Sequence, residues 1–169
     1  MSVPADARDL LDRLLAMTPD ERWTEMNALE ARPPAEGVDL ALGLLEGVTT
    51  EHGPLVGMSA LNLIARHGTP AHLPRLRAVR RRLPPMTGLR DWRQEHGFAV
   101  TMLETRERGD CDCRAYFACA APPVAERFET LSETTGDWET IKEVRCRTCG
   151  TTSRVAEVYG YHYPIFRWG

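Results

Sequence analysis

The segment Val144-Arg145-Cys146-Arg147-Thr148-Cys149-Gly150-Thr151-Thr152-Ser153-Arg154-Val155-Ala156-Glu157-Val158 sets a close cysteine pair, then a glycine, ahead of a β-branched run. The spacing Cys146-x-x-Cys149 is that of a metal-binding knuckle, and Gly150 suits its tight turn because glycine tolerates φ > 0. The residues from Thr151 to Val158 have the β-branched content of a strand returning from that turn. A second pair, Cys111-x-Cys113, lies upstream, and the 32 intervening residues let the chain leave, turn and return. Four thiolates supply a complete soft tetrahedral shell, for which Zn²⁺ is the usual ion. One structural Zn²⁺ held by Cys111, Cys113, Cys146 and Cys149 is therefore expected. Free buried thiols or a disulfide are the alternatives. Pairs this close favour a shared ion over a bridge within each pair, although the first is C-x-C and not the commoner C-x-x-C.

The fifth cysteine, Cys119, stands in the apolar stretch Ala115-Tyr116-Phe117-Ala118-Cys119-Ala120 and reads as a small buried hydrophobe. A closed four-thiolate shell leaves no position for a reacting water, so the expected ion is structural. The chain has no Gly-x-x-x-x-Gly-Lys loop, no His-Glu-x-x-His and no Gly-x-Ser-x-Gly elbow. No catalytic residues are assigned, and a non-catalytic protein is expected. Among the histidines, His67 and His72 read as capping or solvated residues beside a helix turn. His162, amid the C-terminal aromatics, reads as a packing residue, with a ligand role as the alternative.

Upstream of the cysteines the apolar spacing is helical. Leu10, Leu11, Leu14 and Leu15 form one stripe of a helix over about 5–16. Thr18-Pro19-Asp20-Glu21 is a capping box with proline at the first helical position. Trp23, Met26 and Leu29 are expected on the inner face of the helix that follows. Further helices are read over about 35–48, from Pro54 to Gly68, from Thr69-Pro70 to Pro84-Pro85, and over about 88–108. The stretch Ala60–Gly68 is echoed about 40 residues later at Ala99–Gly109. That period belongs to stacked helical pairs, though an irregular bundle satisfies the same pattern. Beyond Gly109, residues 126–144 fit either strand or helix spacing. The tail, Tyr159 to Trp168, is rich in aromatics that either close a small core or form a binding patch.

The net charge of −3 conceals segregation: residues 1–50 sum to −6, residues 66–93 to +7, and residues 94–139 to −6. Such blocks pair within the fold or face a partner of opposite sign. Arg75, Arg77, Arg80, Arg81 and Arg82 form the densest basic run, and with Tyr161, Tyr163 and Trp168 they are the candidate partner-binding residues. Nucleic-acid binding by a zinc-ribbon regulator is the alternative. A pI near 6.0 and the acidic flanks weigh against it. No basic n-region precedes an apolar stretch, and no run approaches the roughly 20 apolar residues of a membrane span. A cytoplasmic protein that does not bind membranes is expected.

Two resemblances follow from these residues. The phrase Ala65-Arg66-His67-Gly68-Thr69-Pro70-x-x-Leu73-Pro74-x-Leu76 resembles the inter-helix turn of HEAT-like repeats, over about residues 35–108. The segment 108–158 resembles a zinc ribbon, in which two β-hairpin knuckles clasp one ion. Together they imply an α+β protein, with a helical part over 1–109 and a ribbon-like subdomain with an aromatic tail over 110–169. The arrangement Val144-Arg145-Cys146-Arg147-x-Cys149-Gly150, preceded by Trp138, is similar to zinc-ribbon immunity proteins of bacterial polymorphic toxin systems. That likeness covers about 30 residues. It implies a protein partner, a cognate toxin, whose active cleft would be covered by Arg75–Arg82 or by the acidic face of residues 1–50.

Overall fold

The computed structural model describes residues 3–52, 54–79, 92–160 and 164–169. Helices come first and a four-stranded antiparallel sheet last, an α+β arrangement. The chain divides into two compact units, Met1–Glu107 and Arg108–Gly169. Among the described residues no helix is long and apolar enough to cross a membrane.

The first unit contains α1 (Ala5–Ala16), α2 (Pro19–Glu30), α3 (Pro34–Gly47), α4 (Pro54–His67), α5 (Leu73–Val79) and α6 (Trp92–Glu107). Its starts are written locally. Thr18 Oγ1 accepts from the Glu21 N–H at 3.4 Å while the Glu21 carboxylate accepts from the Thr18 N–H at 2.7 Å. The Thr18 N–H, and then the Thr18 hydroxyl donating to the same carboxylate at 2.8 Å, hold the Glu21 carboxyl below its ordinary range. Two short 3₁₀ turns, Thr50–His52 and Pro70–His72, share another device. The N–H of Thr49 donates to His52 Nδ1 at 3.1 Å, and that of Thr69 to His72 Nδ1 at 2.9 Å. Thr69-Pro70 thus opens a 3₁₀ turn, and α5 proper begins at Leu73.

Packing is most extensive between the neighbours α3 and α4, and alternate helices also pack, α4 on α6, α1 on α3, α2 on α4 and α3 on α5. The buried seam comprises Leu10, Leu11 and Leu14, the apolar run of α3 from Val38 to Leu45, then Leu61, Ile64, Leu76, Met102 and Leu103. At the α4–α6 crossing Gly57 faces the Trp92 ring so closely that an added Cβ would lie 2.7 Å from it. Two expected core residues lie outside the seam: Leu15 is 40% exposed and Trp23 is 55% exposed. The helix α2 buries only Met26 and Leu29 among its larger apolar residues, so helical spacing over-extended the stripe by one turn.

In the second unit a short helix, α7 (Cys113–Ala118), precedes β1 (Phe128–Thr135), β2 (Glu139–Cys146), β3 (Thr152–Tyr159) and β4 (Pro164–Trp168). The strands pair in chain order, β1-β2-β3-β4. A bulge between Thr130 and Ser132 interrupts β1. Residues 126–144 therefore resolve as two strands, β1 and the start of β2, after a turn at Glu126-Arg127 and around a turn at 136–138. On β2, Thr140, Val144 and Cys146 are buried while Glu139, Glu143 and Arg145 are exposed, a period of two. The tail adds a fourth strand that the sequence pattern did not define.

Candidate metal centre

Two different local structures deliver the thiols. Cys146 ends β2, and the chain turns through Arg147–Gly150 before β3 begins at Thr152. The Cys146 N–H donates to the Thr151 carbonyl at 2.8 Å, and the Gly150 N–H to the Cys146 carbonyl at 2.9 Å. Gly150 has φ +75°, and its Cβ position is open, so the turn needs glycine for conformation and not for space. The first pair departs from the expected ribbon. Cys111 and Asp112 form a turn into α7, with the N–H groups of Arg114 and Ala115 donating to the carbonyls of Cys111 and Asp112 at 3.0 Å each. There is one β-hairpin knuckle and one helical one. The segment Cys113-Arg114-Ala115-Tyr116-Phe117-Ala118 contains two alanines and no β-branched residue, which favours helix.

An aromatic cluster seats α7 on the sheet. Tyr116 meets Phe128 edge-on at 5.2 Å between ring centroids, and Phe117 packs on Trp168 at 4.7 Å. Trp168 lies 5.2 Å from Phe128 and donates its indole N–H to the Ala121 carbonyl at 2.9 Å. Because Phe128 pairs with Cys146 across β1 and β2, this cluster sets α7, and with it Cys113, against the end of β2. Trp168 is thus a packing residue of this unit.

All four sulfurs lie within 4.8 Å of one another, and the group can hold a metal ion. Sγ–Sγ separations are 3.6 Å for Cys111–Cys146 and 3.6 Å for Cys113–Cys149. Cys113 and Cys146 are buried, Cys111 is half-buried, and Cys149 is exposed. Burial pushes the Cys111 and Cys113 thiols up; the sulfurs of Cys149 and Cys111 raise Cys113 further, while the Cys113 N–H opposes the rise at Cys111. Cys149 moves the other way, to about 6, because the Thr151 hydroxyl and then its backbone N–H favour the thiolate. A divalent cation supplies the positive charge that the buried sulfurs lack. The donor set thus fits a thiophilic ion. Cys119 caps the end of α7 and stands outside the cluster.

One side chain ties the two knuckles together. Arg127 donates to Asp112 Oδ2 at 2.8 Å and to Thr148 Oγ1 at 3.0 Å, reaching the spacer of each cysteine pair. Its carbonyl accepts from the Arg147 N–H at 2.9 Å. Spacing rules did not find Arg127, which is 14 residues from the nearer pair. Polar residues in both spacers were the only local signal.

Arg75 and Arg77 stand apart from this site, in ion pairs of the helical unit. Arg75 pairs with Glu46 and Asp39, each at 3.2 Å, and Arg77 with Glu104 at 2.7 Å. In these two arginines the basic block meets acids of α3 and α6. Arg80, Arg81, Arg82, Tyr161, Tyr163 and His162 lie outside the described residues. His72 has its capping role. Comparison with protein-family models, curated proteins and solved structures returned no match.

Proposed function

We propose that this is a non-catalytic protein-binding protein in which one structural Zn²⁺, ligated by Cys111, Cys113, Cys146 and Cys149, staples the C-terminal unit. The convergence of four sulfurs within 4.8 Å carries the metal reading. Four thiolates close a tetrahedral shell and leave no position for a water or substrate. Among the described residues the unit's buried apolar side chains are few, Cys113, Ala115, Tyr116, Phe128, Val144, Cys146 and Val155. Apolar burial on that scale does not offset the chain entropy of ordering, so a metal link makes physical sense.

The helical unit supplies a scaffold. The antecedent for HEAT-like stacking is the pairing of the neighbours α3 and α4 together with contacts between alternate helices, α1 on α3 and α4 on α6. Such stacks characteristically offer extended surfaces to other proteins, and the likeness of the Cys146–Gly150 segment to zinc-ribbon immunity proteins suggests a toxin as partner. A cytoplasmic location suits an odd number of free thiols.

Metal analysis tests the core of this proposal. Protein purified without chelators contains close to one equivalent of zinc; Cys146→Ser loses it and Cys119→Ser keeps it. Cobalt exchanged into the site shows the visible bands of tetrahedral thiolate coordination. A metal-free protein whose thermal stability is indifferent to chelators overturns the reading.

A further inference from the structure

We infer that the end of the sheet remote from the cysteines is a docking surface centred on Trp138, for a protein partner that surrounds an apolar contact with basic side chains. This rests on the protein-binding reading above and names its surface and the chemistry of its partner.

Trp138 is 77% exposed, more than any other large apolar side chain among the described residues. Its backbone is nevertheless fixed. It follows the β1–β2 turn, and its carbonyl accepts from the Tyr159 N–H at 2.9 Å. Strand register sets Tyr159 beside Pro164 on one face at this end, and Glu139, Val158 and Ile165 on the other, so that apolar side chains flank the edge on both sides. Tyr159 and Ile165 are themselves 45% and 56% exposed. The Tyr159 hydroxyl is held by Thr140 Oγ1 at 2.7 Å, and Thr140 is buried. Ordered aromatic side chains on a rigid edge bind at low entropic cost, and Trp and Tyr dominate binding hot spots. A large aromatic held in water with its main chain already ordered is poised for such a contact.

The charge on the sheet is polarised along the strands. Glu133, Asp137, Glu139 and Glu157 lie toward the Trp138 end. Lys142, the lone lysine of the chain, is engaged there by Glu157 at 3.3 Å and Glu133 at 3.7 Å. Arg127, Arg145, Arg147 and Arg154 lie toward the cysteine end, where Asp112 pairs with Arg127 and Glu129 with Arg145, leaving Arg147 and Arg154 to tip that end positive. An apolar centre with an acidic rim selects a basic partner and repels nucleic acid.

A random peptide library displayed on phage and selected against the full-length, zinc-loaded protein provides the test. Enriched peptides should combine Lys or Arg with Leu, Phe or Trp, and should bind more weakly as salt rises. Trp138→Ser should weaken them roughly tenfold or more, and Glu139→Lys should weaken them at unchanged zinc content and Tm. Acidic consensus peptides, or no enrichment, overturn the proposal. Peptides that bind Trp138→Ser and wild type equally remove this surface while leaving the protein-binding reading in place. Concentration-dependent self-association that Trp138→Ser abolishes makes a second copy the occupant and overturns the assigned partner. Loss of zinc binding in wild-type protein refutes the metal reading alone, so the two failures are distinguishable.

Discussion

Asp112 and Arg127 form a 2.8 Å ion pair that fastens the spacer of the first cysteine pair to the residue preceding β1. The Asp112 side chain is 12% exposed and that of Arg127 is 27% exposed, so the pair is better shielded than most surface bridges. From the same guanidinium a second bond reaches Thr148, between Cys146 and Cys149. Arg127 is positioned to hold the two knuckles in register whether or not an ion is bound.

Arg127→Ala should therefore weaken the proposed metal site without removing a ligand. Groups behind a ligand shell typically contribute 10–100-fold in metal affinity, and a loss of roughly that size is expected. Arg127→Lys should recover little of it, because a point charge cannot span Asp112 and Thr148 as a planar fork does. Competition against a chromophoric chelator measures both variants. Wild-type affinity in Arg127→Ala would show that the cysteines preorganise themselves.

Chelation should separate the two units. The helical unit has its own apolar seam through Leu14, Leu44, Leu61, Leu76 and Leu103, all buried. It should keep most of its helical circular dichroism while residues 108–169 become open to protease. Trp168, packed on Phe117 and Phe128, should report the change by fluorescence. Trp138 is already 77% exposed and should contribute little to it. A single cooperative loss of both signals would contradict this division.

Two glycines should respond oppositely to alanine. At Gly57 a Cβ would meet Trp92 ring atoms at 2.7 Å, so Gly57→Ala should destabilise by about 1–3 kcal/mol. Gly97, within α6, has no neighbour within 4 Å of a built Cβ. Gly97→Ala should stabilise by about 0.4–1 kcal/mol through a less flexible unfolded chain. Denaturant midpoints at constant m-value decide both.

The helical unit should also lose stability in mild acid. His52 is 4% exposed, and its Nε2 makes no hydrogen bond of ordinary geometry. Burial pushes its pKa below the usual 6.5; the nearby Arg22 charge adds to this, while the Leu11 and Thr49 backbones and Glu51 oppose it. As pH falls below 6.5 the unfolded chain takes up the proton first. The stability that His52 contributes is complete above that pH and is lost as pH falls toward the lower folded value. His52→Asn keeps an acceptor near the Thr49 N–H and should flatten the difference in Tm between pH 7.5 and 5. An identical pH slope in both proteins would exclude His52 as its source.

Nucleic acid should bind poorly. Arg75 and Arg77 are already engaged by Glu46, Asp39 and Glu104, and the chain is net negative. Near physiological ionic strength, generic duplex and single strands should show no salt-sensitive affinity. Micromolar binding that weakens steeply with salt, and disappears on charge reversal at Arg80, Arg81 and Arg82, would reverse the ranking.

Local chemistry alone determined much of this protein. The Thr18–Glu21 box starts α2, Gly150 turns the knuckle at φ +75°, and leucine spacing marks the helical seam, because each depends on residues within a turn or two. The four cysteines were conspicuous for the same reason: close pairs of soft donors are rare enough to stand out. Tertiary structure alone decided the rest. Residues 126–144 satisfied two periods until pairing with β3 selected the strand. The same spacing counted Trp23 as core, although α2 turns it to solvent. The C-x-C pair enters a helix because Tyr116 and Phe117 find Phe128 and Trp168, which are distant in sequence. Arg127 was invisible because its partners lie 15 and 21 residues away. Local signals act through the backbone of neighbouring residues, whereas those contacts exist only once the chain has closed its loops.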